Sequence, residues 1–348
     1  MKEFLLNYGL FLADTVTIVV AIGAIIVMIA GVIRDGRGTD LGQLEVRHLN
    51  EHLKFMADVL RESMLDGTAL KQDRKRRKKE AKAAKRKDTP PAARVFVLDF
   101  HGDIGASHVT ELREEISAIL QVANDGDEVV LRLESEGGTV HGYGLAASQL
   151  RRIRDRGLRL TIAVDKVAAS GGYMMAAVGD RILAAPFAII GSIGVVGQLP
   201  NLNRLLKRHD IDYELHTAGE FKRTLTIFGE NSDTAREKFR QELEETHDLF
   251  KAFLAGQRPS LPLDNVATGE HWYGSRALEL RLVDELRTSD DYLLERAREH
   301  DVFELHFKPR RSLQERLAMG LARLRGAALP GGTALVRRNT PDIHAGMV

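Results

Sequence analysis

The sequence predicts an α/β protein of parallel-strand βαβ units, preceded by a transmembrane helix and a basic helical spacer. Three observations carry this prediction. Short apolar runs alternate with amphipathic helical patterns from residue 94 onward, an apolar run covers residues 10–33, and a dense lysine and arginine run covers residues 71–87. Strands that alternate with helices at this spacing form parallel βαβ units, and continuously apolar strands belong to a sheet covered on both faces.

The first element is the apolar segment 10–33, interrupted by Asp14 and by threonines at 15 and 17. Its length spans a bilayer and exceeds the apolar region of most signal peptides, which favours an anchor that is retained. A carboxylate is costly at the bilayer centre but acceptable near the interface, so the hydrocarbon span is expected at residues 15–33. We therefore assign residues 1–40 to an N-terminal membrane anchor.

Residues 41–91 are predicted to be a helical spacer. Apolar residues at 46, 49, 53, 56, 60 and 64 recur at spacings of three and four, which marks one stripe of an amphipathic helix that packs on a partner helix or lies along a membrane. The run 71–87 carries a net charge of +9, although the whole chain carries only +1. Anionic lipid is its favoured partner and an inert solvated helix is the alternative. The run lacks interleaved aromatic residues, so no nucleic-acid partner is expected.

The paired prolines at 90 and 91 end the spacer, and residues 92–308 form the predicted catalytic domain. Residues 309–348 are expected to hold a short helix at 313–324 and a flexible tail. Within the domain, strands are predicted at 95–100, 129–135, 158–167 and 213–217, and helices at 108–123, 144–155, 170–177, 232–257 and 275–281.

Ser170 is the predicted nucleophile. It lies where the apolar strand 158–167 gives way to a helix, in the sequence Val-Ala-Ala-Ser-Gly-Gly-Tyr. A serine in this place is next to the positive end of the helix dipole and to backbone N–H groups without helical partners, and the following glycines let a substrate backbone approach closely.

The base that would activate Ser170 is open on residue type alone. The chain contains no cysteine, which excludes thiolate nucleophiles, disulfides and cysteine-ligated zinc, and its twelve histidines show no metal-ligand spacing, so neither a metal nor a cofactor is expected. His141, His216 and Lys222 are the candidates. A lysine acts as a base only when neutral, which requires a water-poor setting. Apolar residues that would supply it stand at 221, 225, 227 and 228.

Two further segments carry groups that acyl transfer needs. The strand 129–135 ends in Glu136-Gly137-Gly138, where backbone N–H groups can face a developing oxyanion, although a plain tight turn is the alternative. In the apolar run 189–196, Ser192 is the only hydroxyl. It either packs within a strand or orients a buried amine.

Taken in order, the segments Ser-x-Gly-Gly, Val-Ala-Ala-Ser-Gly-Gly-Tyr, Gly-Ser-Ile-Gly-Val and Phe-Lys-Arg resemble the signal peptide peptidase A (protease IV) family of membrane serine peptidases, and closely its SohB branch. The resemblance covers residues 94–286. It implies a ClpP/crotonase-like fold and a Ser/Lys dyad. Carried onto this chain, it implies the nucleophile Ser170, the general base Lys222, the lysine-orienting Ser192, the oxyanion-hole donors Gly137 and Gly171, and Gly138 as a further member of that hole.

The resemblance also implies hydrophobic peptide substrates, such as signal peptides or fragments of membrane proteins, and a location in the bacterial inner membrane. Family members build rings, and this chain has one Ser-Gly-Gly and one Phe-Lys-Arg, so a homo-oligomer is expected. The side of the membrane stays open. Basic residues after segment 10–33 favour the cytoplasm, whereas the resemblance favours the outer face.

One residue departs from the family pattern: Glu136 stands where proline is usual. Losing proline frees the backbone torsion φ and loosens the turn that presents Gly137. Two alternatives to a peptidase therefore stay open, a crotonase-like acyl-CoA enzyme and an inactive membrane scaffold of the same fold.

Overall fold

The computed structural model describes residues 11, 12, 15–20, 22, 23, 42–85, 93–219 and 221–309. Residues Leu44–Lys308 form one compact unit, and Met1–Gln43 with Pro309–Val348 form a second, of which little is described. The predicted C-terminal helix 313–324 and much of the predicted span 15–33 lie outside the described residues. Among the residues described, no helix has the length and apolar content to cross a bilayer.

A mostly parallel sheet organises the compact unit, which confirms the α/β prediction. In the described part of the chain, seven strands lie in the order β1, β10, β2, β3, β4, β6, β9. From β10 to β9 in this order, each strand pairs in parallel with the next. The strands are β1 (Gln43–His48), β2 (Arg94–His101), β3 (Glu128–Glu134), β4 (Arg159–Val164), β6 (Arg181–Ala184), β9 (Glu285–Leu286) and β10 (Asp301–Lys308).

Helices cover this sheet and largely match the predicted ones. They are α1 (Leu49–Met64), α2 (Gly67–Lys85), α3 (Val109–Val122), α4 (Val140–Asp155), α5 (Gly171–Ala177), α6 (Asn203–Arg208), α7 (Asp233–Gln257), α8 (Leu263–Val266), α9 (Gly274–Glu279) and α10 (Ser289–Glu299). Ser232 caps α7 by accepting a hydrogen bond from the Ala235 N–H at 3.1 Å. The apolar faces of α3, α4 and α5 and the strand side chains share one buried cluster.

The predicted strand 158–167 is wrong at its end, because the chain leaves the main sheet after Val164. Asp165 accepts hydrogen bonds from the Ser289 N–H at 2.8 Å and the Ser289 hydroxyl at 2.5 Å, which turns the chain. Residues Val167–Ala169 then form β5 of a second sheet, with β7 (Ile189–Gly191) and β8 (His271–Tyr273). The change of sheet ends directly at Ser170.

The predicted strand 213–217 is also wrong. These residues are exposed and irregular, and they pair with no strand in the described ranges. The side chains of Tyr213 and Leu215 are 43% and 45% exposed, so they do not pack in a hydrophobic core. Alternation of residue type predicts a strand only where a partner strand can supply hydrogen bonds.

Glu115 makes the stability of this fold depend on pH. It is buried on α3, where one carboxylate oxygen accepts the Phe307 N–H at 2.7 Å and the other has no partner among the described residues. Burial, aided by the nearby Asp99 and Glu111, raises the pKa of Glu115 from 4.5 to about 7. The unfolded chain loses this proton first, so the free energy of unfolding falls as pH rises from 4.5 towards 7.

Glu115→Gln should remove this slope and stabilise the protein at pH 8 by up to about 3 kcal/mol, because no charge is then buried. Urea unfolding at pH 5 and pH 8 measures the effect. Glu114→Gln, one position along the same helix, is the matched control and should keep the wild-type slope. An unchanged slope in Glu115→Gln would show that this carboxyl does not titrate differently in the folded protein.

Candidate active site

The segments that carry Ser170 and the glycine turn at 136–138 meet at one edge of the parallel sheet. β2, β3 and β4 run in the same direction, so the loops that follow them leave at their shared carboxyl edge. An isolated pairing of Ser135 with Ala168 then ties the end of β3 to β5. As a result, the turn at 136–138 lies against Ser170, which no spacing in the sequence required.

Ser170 has a strained backbone. Its φ is 51° and its ψ is −118°, a conformation that favours glycine and costs a side-chain-bearing residue of order 1–3 kcal/mol. The Ser170 N–H donates to the Gly191 carbonyl at 2.8 Å, and the Ser170 carbonyl accepts the Met174 N–H at 3.0 Å. These bonds hold the residue at the start of α5, where its half-buried side chain projects from a sharp strand-to-helix turn.

A cavity of about 750 Å³ opens beside Ser170. Its walls are mainly apolar and come from the loop after β2, from α4, from α5 and from α7. This volume is within the range of ligand pockets, and the apolar walls suit an apolar side chain. Its lining includes Ile104, Gly138, Val140, Gly144, Ser170, Gly171, Met174, Val196, Leu249, Phe250 and Phe253.

The backbone N–H groups of Gly138 and Gly171 are candidate oxyanion donors beside this cavity. Both residues line it, and neither N–H donates a hydrogen bond to another described residue. Each position excludes a side chain. A Cβ on Gly138 would lie 2.1 Å from the Ile104 carbonyl oxygen, and one on Gly171 would lie 2.4 Å from the Tyr143 ring. Two free donors beside a serine can stabilise an oxyanion.

Gly137 has a different position. Its φ is 94°, which glycine adopts without strain, and its N–H donates to the Ser135 hydroxyl at 3.1 Å. The Ser135 and Tyr143 hydroxyls lie 2.5 Å apart, and the Tyr143 hydroxyl donates to the Asp103 carbonyl at 2.8 Å. We call this the turn clamp: Gly137, Ser135, Tyr143 and Asp103 joined in one hydrogen-bonded chain.

The two hydroxyl-bearing residues of the turn clamp are buried. Ser135 is 2% exposed and Tyr143 is fully buried. Burial raises the pKa of Tyr143, which keeps its hydroxyl protonated and able to donate. Sequence reasoning missed both residues. Ser135 stands next to the predicted glycine turn, but a tyrosine eight positions later gives no signal until α4 brings its ring back over Gly171.

The structure leaves all three candidate bases exposed. His141 is exposed, and His216, with an 88% exposed side chain, pairs with Glu214 at 3.2 Å. Lys222 is exposed as well, so the dry setting expected from its apolar neighbours is not formed within one chain. None of the three lines the cavity beside Ser170.

Ser192 lies closer to the nucleophile. It follows Gly191, whose carbonyl accepts the Ser170 N–H, and its own N–H donates to the Glu270 carbonyl at 2.6 Å. Like Ser170, it has a φ of 51°, a conformation that is uncommon for serine. Ser170 and Ser192 thus directly follow two paired strands, and each has a φ that is uncommon for serine.

A separate cluster on β2 and β10 has the residue types of a cation site. Asp99, Glu304 and His306 place potential ligand atoms within 4.8 Å of one another. Arg132, however, binds both carboxylates, with its Nη2 2.6 Å from Asp99 and a second contact to Glu304. The arginine already supplies the positive charge, so the cluster is explained as an ion-pair network across the sheet.

A strained serine beside an apolar cavity, with two free N–H donors nearby, is typical of hydrolases of the serine-nucleophile class. The sequence matches peptidase family S49, through its N-terminal part over residues 3–150 and its main part over residues 152–302. The chain belongs to peptidase family S49 and is a serine peptidase.

Individual relatives agree with this assignment. The Probable protease SohB of Haemophilus influenzae is 50% identical over 324 residues, which cover 90% of this chain and 92% of that protein. The Probable protease SohB of Buchnera aphidicola from Acyrthosiphon pisum is 60% identical over 223 residues, which cover 64% of this chain and 66% of that one. Protease 4 of H. influenzae is 26% identical over 178 residues, covering 50% of this chain and 29% of its own length.

Proposed function

We propose that this serine peptidase is an endopeptidase that hydrolyses hydrophobic peptides through a Ser170/Lys222 dyad. The observation that supports it most directly is the arrangement around Ser170, in which a strained serine and the free N–H groups of Gly138 and Gly171 border one apolar cavity. The apolar walls favour substrates such as signal peptides or membrane-protein fragments.

In the proposed reaction, the Ser170 hydroxyl oxygen attacks the carbonyl carbon of the scissile bond while the neutral Lys222 amine takes the hydroxyl proton. The Gly138 and Gly171 N–H groups hold the resulting oxyanion, and Ser192 orients the lysine. The lysine then protonates the leaving amine, which leaves an acyl group on Ser170. Water, deprotonated by the same lysine, releases that acyl group and restores the serine.

Gly137 has a structural role in this proposal. Its N–H is already engaged by Ser135, so we assign the second oxyanion donor to Gly138 and give Gly137 the task of shaping the turn. The turn clamp also compensates for having Glu136 where the family usually has proline. Its hydrogen bonds restrain a turn in which no proline ring fixes φ. A clamped turn favours an active enzyme over the inactive scaffold.

Lys222 would reach Ser170 from a neighbouring subunit. It is exposed and absent from the cavity wall that holds the serine, so a second copy is needed to enclose the amine. Apolar side chains close to it in the sequence are also exposed, Phe221 at 48% and Phe228 at 40%. A homo-oligomer would bury these side chains and complete the dyad.

We further propose that segment 15–33 anchors the protein in the bacterial inner membrane, and that the catalytic domain at 92–308 has a ClpP/crotonase-like fold. The spacer 41–91 and the segment 309–348 complete the proposed organisation.

A serine-directed phosphonate probe tests the function. Covalent labelling at Ser170 is expected, whereas an unlabelled protein that binds coenzyme A would be a crotonase-like enzyme.

Tyr143→Phe should lower kcat about tenfold and leave KM nearly unchanged, because the turn clamp positions an oxyanion donor that acts only in the transition state. Steady-state kinetics on a fluorogenic apolar peptide measure both constants. Tyr173→Phe is the matched control. Its hydroxyl is also buried and donates to a backbone carbonyl, that of Leu282 at 2.9 Å, but it does not touch the turn.

Both tyrosine variants should lose similar stability, since Tyr143→Phe leaves the buried Ser135 hydroxyl without its acceptor and Tyr173→Phe leaves the Leu282 carbonyl without its donor. Only Tyr143→Phe should lose kcat. An equal loss of kcat in the two variants would reduce Tyr143 to a general packing residue.

A further inference from the structure

Helix α1 is attached to the catalytic unit by one side only. Leu49 packs on the buried cluster that contains Leu293 and Val302. The Asn50 amide donates to the Ala297 and His300 carbonyls, at 2.8 Å each, and its oxygen accepts the Val302 N–H at 2.8 Å. These contacts fix the rotation of α1 about its axis, and with it the direction in which the remaining side chains point.

Several apolar side chains farther along α1 are uncovered. Phe55, Val59, Leu60 and Met64 are 67%, 50%, 60% and 79% exposed. At 100° per residue, Phe55 and Val59 lie roughly opposite Asn50, so they point away from the sheet. In a soluble domain such side chains are expected to face a partner.

Helix α2 folds back antiparallel along α1. Arg77 binds Asp58 and Arg74 binds Glu62, so residue numbers fall along one helix as they rise along the other. The hydrogen bond from Arg77 holds the pKa of Asp58 below its usual value, so this carboxylate stays charged. Asp66 caps the connection by accepting the Thr68 and Ala69 N–H groups at 3.0 and 2.7 Å.

A row of unpaired lysines follows one face of α2. Lys71, Lys75 and Lys78 are spaced by four and three residues, so they lie on one face, and none forms an ion pair with another described residue. The arginines at 74 and 77 point to α1. Antiparallel pairing then turns the lysine row to the same side as Phe55 and Val59.

We propose that this hairpin face, made of Phe55, Val59, Lys71, Lys75 and Lys78, lies on the surface of an anionic lipid bilayer. Apolar side chains flanked by lysines are the composition of helices that rest in the headgroup region. A second copy fits this face less well, because the two lysine rows of a symmetric pair would repel. The hairpin contact adds to the proposed anchor and would set how the catalytic unit stands on the membrane.

The absence of cysteine in the chain permits a direct test on the full-length protein. Val59→Cys is labelled with an environment-sensitive dye and reconstituted in phosphatidylcholine vesicles, with or without about 30% phosphatidylglycerol. Nitroxide groups on the lipid acyl chains should quench the dye about twofold in the anionic vesicles, because position 59 then lies at the acyl boundary. The same dye on Glu237→Cys, on an exposed part of α7, should not be quenched.

A triple variant, Lys71→Gln/Lys75→Gln/Lys78→Gln, should lose most of the quenching at position 59. Arg236→Gln/Lys238→Gln/Arg240→Gln removes the same charge from α7 and should keep it. Quenching that is equal at 59 and 237, or that survives the lysine triple, would overturn the proposal, as would a disulfide formed between copies at position 59. Vesicle flotation and peptide cleavage, measured on the same samples, report the anchor and the peptidase separately.

Discussion

Ser170→Ala is expected to lower peptide hydrolysis by at least about 10⁴-fold, since no acyl-enzyme can form without the hydroxyl. The backbone donors and the cavity stay in place, so substrate binding should change little. The measurement combines kcat on an apolar peptide with the mass of the phosphonate adduct. The adduct should be present on the wild-type protein and absent from the variant.

Two variants make this prediction specific. Ser117→Ala removes a hydroxyl that binds the Arg113 carbonyl on α3 and should keep both activity and adduct. Ser170→Gly should be inactive yet more stable than wild type by about 1 kcal/mol, because glycine relieves the strain at φ 51° and ψ −118°. An active Ser170→Ala would refute the assigned nucleophile.

Co-expression of Ser170→Ala with Lys222→Ala should restore peptidase activity that each variant lacks alone. If each site takes its serine from one subunit and its lysine from the next, random mixing of equal amounts yields about a quarter of the wild-type sites. Activity per mole of purified mixed oligomer measures this fraction. Restoration near zero, in oligomers shown to contain both variants, would place the dyad within one chain.

Lys222→Arg tests the chemical role of the same residue. Arginine keeps the positive charge and most of the length but does not lose its proton in proteins, so the variant should be as inactive as Lys222→Ala. Lys207→Ala removes a lysine in the same region, one that pairs with Glu230 at 3.0 Å, and should remain active. Full turnover by Lys222→Arg would exclude the lysine as the base.

The strand and helix order near Ser170 could be predicted because it depends on local signals. Apolar runs, the glycine pair after Ser170 and the Ser232 cap each act within a few residues of the chain. The predicted strands were wrong where the local structure depends on residues that are distant in the sequence. Asp165 turns the chain because Ser289 is available to it, and residues 213–217 find no partner strand among the described residues.

The sequence by itself determined the family, the α/β class and the position of a serine at a strand-to-helix junction, since these follow from residue types at short spacings. Only the tertiary structure decided which glycine N–H groups stay free, how Tyr143 restrains the turn, and that Lys222 is exposed in a single chain. Those properties depend on residues brought together from separate loops and strands, and on how far each polar group is removed from water.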